Sequence, residues 1–160
     1  PDVLVRLDSS EAVRSISRRE ITIGFRNARP TETGLAGRKL QRVEFAAYAK
    51  SNAPERWIKI AADTPSARYV AERAGGDIAC EVSNPRLALD LAMAGVGQAV
   101  LPTFVGDAHR ALHRRDGTID ELTHASWLVT HADDRNLPEV RRVLDRIASL
   151  DASRARPALA

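Results

Sequence analysis

The chain has 160 residues, 44% of them hydrophobic and 28% charged, enough for one sizeable core or two small lobes and unlike a disordered chain. Against 21 acidic residues stand 24 lysines and arginines, a net charge of +3 with the arginines interleaved among acids, so bulk charge does not argue for nucleic-acid contact. Aromatics at 4% offer no platform for stacking single-stranded bases, the single cysteine excludes an internal disulfide or a cysteine-rich zinc module, and no apolar run approaches the roughly 18 residues of a membrane span.

The opening PDVLVRLDSS has no basic segment leading into a long apolar one, so no secretory signal is visible. A proline followed directly by an alternating run reads like a fragment cut within a domain. VLVRL (3–7) and ITIGF (21–25) predict strands, separated by a helix that Ser9 or Ser10 caps and that carries Val13 and Ile16. Loop signals fill 26–37, and LQRVEFAAYA (40–49) predicts one long strand.

After the connection SNAPE, RWIKI (56–60) is a strand and TPSARYVAERAGG a helix, with Thr64 as cap, Pro65 at the first position and Gly75-Gly76 as the stop. DIACEV (77–82) is the next strand, and its neighbours make Cys80 a packed thiol that suits a reducing, cytoplasmic setting. SNPRLALDLAMAG repeats the grammar, with Asn84 as cap, Pro85 in the first turn and Gly95 at the end. Gly97 lets the following strand approach its neighbour closely, and Pro102 forces the chain out of the sheet. A less regular stretch to about Ser126 precedes the strand WLVTH (127–131). Val140, Val143, Leu144, Ile147 and Leu150 then recur at helical spacing over about 137–150, and 151–160 reads as a disordered tail. Strands that feed helices throughout predict an α/β fold.

Helix starts after strands are the strongest site signal. Ser83 and Asn84 stand where free N–H groups and the helix dipole favour an anion, although ordinary capping explains the same residues. Ser9-Ser10 repeat the arrangement. His109 and His113 have the spacing of a metal pair on a helix, but Arg110 occupies the position where a metalloprotease needs Glu, so a solvated surface helix is expected and no metal is assigned. Neither dinucleotide nor nucleotide phosphate loops are present, and no cofactor is expected.

Several segments together resemble the effector-binding part of the LysR-type transcriptional regulators. They are PDVLVRL, ITIGF, GLAGRKLQRVEFAAYAK, LALDLAMAGVGQAVLPTFVGD and WLVTHADDRNLPEVRRVLDRI, in family order from Pro1 to Leu150, with the late His131, Asp133 and Arg135 pattern among them. The resemblance implies a two-lobed, type 2 periplasmic-binding-protein-like fold, with lobe I at about 1–50 and 131–150, lobe II at about 54–127, and crossovers near Ser51 and Thr130. It implies that a small organic anion binds in the cleft through Ser9, Phe25, Arg26, Ser83, Asn84 and Thr103. It also implies a dimer or tetramer acting on promoter DNA through an N-terminal winged helix-turn-helix. That element, a linker helix, and a strand and helix preceding the position of Pro1 in family members are not in this chain.

The function expected is therefore effector sensing without catalysis. A solute-binding protein of a transport system is the alternative, and a small hydrolase on the same fold is a third reading that only scattered serines and histidines support.

Overall fold

The chain forms eight strands and four helices among residues 3–8, 15–16, 18 and 20–154, which the computed structural model describes. In chain order they are β1 (Ile23–Arg26), β2 (Leu35–Val43), β3 (Phe45–Ala49), β4 (Trp57–Ile60), α1 (Pro65–Arg73), β5 (Ile78–Val82), α2 (Pro85–Ala94), β6 (Ala99–Pro102), α3 (Thr103–Gly106), β7 (His113–Arg114), β8 (His124–His131) and α4 (Pro138–Arg154). Contacts divide the chain into two units, Pro1–Arg42 with His124–Ala160, and Val43–Thr123. Among the described residues no helix is long and apolar enough to cross a membrane.

In the second unit β4 and β5 are parallel, with Ile58 opposite Cys80 and Ile60 opposite Val82, while β3 pairs antiparallel with both β6 and β7. A parallel bridge between Trp57 and Gln98 joins the two sets, through Ile58 N–H to Gln98 O and Gln98 N–H to Arg56 O, each 2.8 Å. Gly97 makes that approach possible, because a Cβ there would run into the Arg56 carbonyl. The strand alternation sorts the core. Ala99 and Leu101 pack with Ala88, Leu89 and Ala92 of α2, whereas Val100 between them packs with Val70, Ile119 and Leu122. Burying Leu89 alone contributes about 2 kcal/mol.

Local chemistry sets the helix ends as the sequence predicts. Thr64 Oγ1 accepts the Ala67 N–H at 3.2 Å, Asn84 Oδ1 accepts the Leu87 N–H at 3.0 Å, and Gly95 closes α2 at φ +83°.

In the first unit the sheet order is β1-β8-β2, with Ile23 opposite Thr130 and Arg26 opposite Trp127. Leu128 and Val129 are buried in the central strand, and Val140 and Ala148 are buried on α4.

Four expectations change, and a fifth, the helix before β1, lies largely outside the described residues. The strand expected at 3–7 does not form: residues 3–8 find no ladder among the described residues, and Leu4 and Leu7 are 97% and 90% exposed. Of the helix before β1, Val13 lies outside the described residues, while Ile16 is buried in a turn, close to Gly24. The long strand 40–49 is two strands in two sheets. At Glu44 the chain leaves the ladder with β8, and the Glu44 carbonyl instead accepts the Thr103 N–H at 2.8 Å, so β3 groups with the second unit although a boundary was expected near Ser51. His109 and His113 share no helix: the first lies between two turns and the second in β7, because Arg115 N–H bonds the Ala47 carbonyl and draws this stretch alongside β3. Finally, 151–154 are not tail but the last turn of α4, where the Asp151 carboxylate accepts the Gln41 N–H at 3.1 Å; residues 155–160 lie outside the described residues.

Candidate functional site

Parallel strands deliver their C-terminal ends to one edge of a sheet, and that edge is where α/β folds bind ligands. In the second unit β4, β5 and β6 run the same way, so the turn after β5, with Ser83 and Asn84, and the turn after β6, with Thr103, open on the same edge. Ser83 is exposed, and Asn84 and Thr103 are half-buried. Leu87 and Phe104 stand exposed in the first turns of α2 and α3. The edge thus offers a hydroxyl pair, an amide and apolar surface.

Asn84 is already engaged. Its Oδ1 caps α2 and its Nδ2 donates to Ser83 Oγ at 3.2 Å, which orients the Ser83 hydroxyl beside the helix start. Thr103 donates its backbone N–H to Glu44, and its carbonyl accepts the Asp107 N–H at 2.9 Å; the cap position of α3 is Pro102, with no side-chain cap. The remaining predicted residues belong to the first unit. Phe25, at 64% exposure, and Arg26 close β1, and Arg26 is paired with Glu32 at 2.8 Å. Ser9 lies outside the described residues. Ser83, Asn84 and Thr103 therefore share a sheet edge, and Phe25 and Arg26 share a strand end. Among the described residues no three His, Cys, Asp or Glu are grouped to hold a metal ion.

One polar cluster has no signature in the sequence, because its members come from three separate elements. Tyr48 OH donates to Asp107 Oδ1 at 2.7 Å, and Arg114 Nε reaches both Tyr48 OH and Asp107 Oδ1 at 3.0 Å. Burial, followed by the hydrogen bond to Asp107, pushes the Tyr48 phenol up to about 12. The Arg114 hydrogen bond holds the Asp107 carboxyl below its ordinary 3.8, and the same bond raises Arg114. The cluster ties β3, the end of α3 and β7 together, and the Tyr48 ring fills the space a Cβ on Gly106 would need.

Its pH signature has a definite sign. A lowered folded pKa on Asp107 gives stability that is present above pH 3.8 and lost as pH falls below it; a raised one on Tyr48 gives stability present below pH 10.0 and lost as pH rises towards about 12. Thermal melts across pH should show the acid-side loss reduced in Asp107→Asn relative to the parent chain. Identical acid limbs would show that the pairing stabilises nothing.

The model of the LysR substrate binding domain family matches residues 1–151. Among solved structures, the regulatory domain of CrgA, a LysR-type transcriptional regulator from Neisseria meningitidis, is similar with a TM-score of 0.68 at 19% identity, over 89% of this chain and 81% of that one. The effector binding domain of QuiR in complex with shikimate has a TM-score of 0.59 at 14% identity, over 86% and 75% of the two chains. Full-length CbnR, in complex with its target DNA, has a TM-score of 0.56 at 13% identity over 86% of this chain, which spans 55% of CbnR. No curated protein matches by sequence. These likenesses show the two-lobed type 2 periplasmic-binding-like fold. Matched over all but its last nine residues, the chain belongs to the LysR substrate binding domain family.

Proposed function

We propose that this effector-binding domain of a transcriptional regulator takes a small organic anion at the edge of the second unit formed by Ser83, Asn84 and Thr103. The observation that carries the reading is the placement of two strand-to-helix turns, after β5 and β6, on one sheet edge. The Ser83 hydroxyl and the N-terminal turn of α2 would meet a carboxylate, while Leu87 and Phe104 would cover its apolar part. Family resemblance assigns further contacts to Ser9, Phe25 and Arg26. The bound anion would favour one arrangement of a dimer or tetramer on promoter DNA, with the DNA-binding element supplied by a winged helix-turn-helix outside this chain. The DNA and the shikimate in the complexes of CbnR and QuiR are the partner types this reading extends to the present protein. No catalytic step enters it.

The test is a titration with shikimate, benzoate and succinate, each against a neutral amide analogue, followed by melting temperature and amide resonances. One acid should stabilise the chain, by about 2.7 kcal/mol at a hundredfold excess over its dissociation constant. Its resonance changes should centre on 83–87 and 103–104. Changes that miss both turns, or no binding by any acid, would overturn the assignment.

A further inference from the structure

The helix α3 is a single turn, Thr103–Gly106, far short of the roughly 12 residues an isolated helix needs, and no side chain caps its start. Its placement is therefore set by what it packs against. Val105 holds it to the core, but apolar contact has no direction and leaves the turn free to rotate. Tyr48 supplies the direction. The residue is 1% exposed in β3, its ring lies against Gly106, and its hydroxyl spans the turn, 3.5 Å from the Thr103 carbonyl at one end and 2.7 Å from Asp107 Oδ1 just past the other. Arg114, the cross-strand partner of Tyr48 in β7, holds the same carboxylate through Nε, at 3.0 Å, and through Nη2. Asp107 passes the constraint on, because its own N–H donates to the Thr103 carbonyl at 2.9 Å. Packing needs none of this polarity. A phenylalanine at position 48 would fill the same space beside Gly106, so what the hydroxyl adds is orientation.

We infer that Tyr48, Asp107 and Arg114 are positioning residues for the effector edge: through α3 they set where Thr103 and chiefly Phe104 stand relative to Ser83 and Asn84. The inference rests on the effector reading, and it assigns part of recognition to side chains that touch no effector.

Shikimate, benzoate and succinate are the probes, titrated into the parent chain, Tyr48→Phe, Arg114→Gln and Phe104→Ala at a temperature where each is folded. Tyr48→Phe should move the amide resonances of 103–107 before any acid is added, leave those of 83–87 in place, and weaken the acid that the parent binds about fivefold, the scale of one neutral hydrogen bond. Arg114→Gln should act in the same direction, and its partly exposed position keeps the test open should Tyr48→Phe fail to fold. In a Phe104→Ala background the Tyr48→Phe loss should shrink to about twofold or less, since the side chain it positions is gone. A purely structural role would lower melting temperatures and leave the dissociation constants and this coupling unmoved. Tyr48→Phe and Arg114→Gln chains that bind the acid as the parent does would overturn the inference and leave the effector reading intact, as would an undiminished loss in the Phe104→Ala background. Acid-induced changes in the parent that miss 83–87 and 103–104, or no binding of any probe, would overturn both.

Discussion

Gly97→Ala should destabilise the chain by about 3 kcal/mol, the combined scale of an overpacked buried contact and a broken ladder hydrogen bond. The methyl group would meet the Arg56 carbonyl, a backbone atom that cannot swing aside as the end of a side chain can. That carbonyl also accepts the Gln98 N–H at 2.8 Å, one of the two bonds that join β4 to β6. Relieving the clash therefore pulls at the bridge between the β4–β5 pair and the β6–β3–β7 set. Two other glycines calibrate the effect. Gly95→Ala meets only the flexible Lys50 side chain, at 3.5 Å, but forces alanine to φ +83°, a cost of about 1–2 kcal/mol. Gly117→Ala finds open space and should change stability by less than about 0.5 kcal/mol. Urea unfolding midpoints would order the three. A Gly97→Ala chain as stable as Gly117→Ala would mean that β4 and β6 do not approach as closely as described.

That glycine was legible because its reason is local: a helix stop, a one-residue gap and a short apolar strand leave few ways to return to the sheet. The same holds for Thr64, Asn84 and Gly95, whose roles are set within three residues of themselves. Gly106 is the contrary case. Its need for a bare Cα comes from the Tyr48 ring, 58 positions away in the chain, and no spacing rule reaches that far. The Tyr48, Asp107 and Arg114 cluster was invisible for the same reason. Glu44 shows a third kind of limit. Apolar alternation runs through Val43, Phe45 and Ala47 straight across Glu44, so the pattern predicts one strand; the change of sheet is decided by which partner edges are available, β8 before Glu44 and β6 after it. The alternating run at 3–7 fails likewise, since a strand needs an edge as well as a pattern. For the candidate site, the sequence singles out the turns after β5 and β6, and the topology adds the common edge on which they open.

Asn84→Ala should act on stability and on binding by separable amounts. Loss of the cap on the Leu87 N–H should lower stability by about 1 kcal/mol, whatever the chain binds. If Asn84 and the hydroxyl it orients hold the effector's carboxylate, binding should also weaken by about 1.5–3 kcal/mol, the range for a hydrogen bond to a charged group, or roughly tenfold to a hundredfold in dissociation constant. Asn84→Asp separates the two roles. An aspartate caps the helix as well as asparagine and suits its positive end, so stability should hold or rise slightly. Its charge would stand where the anion binds, so affinity for an acid should fall at least as far as in the alanine variant, while a neutral analogue should be spared. Unfolding curves and titrations with the acid selected from the panel would check both. A stable Asn84→Asp chain that binds the acid as the parent does would reduce Asn84 to a helix cap and move the effector site away from this edge. Loss of acid binding in a chain that remains fully folded would tie the turn after β5 to recognition, because capping alone predicts no difference between the two ligands.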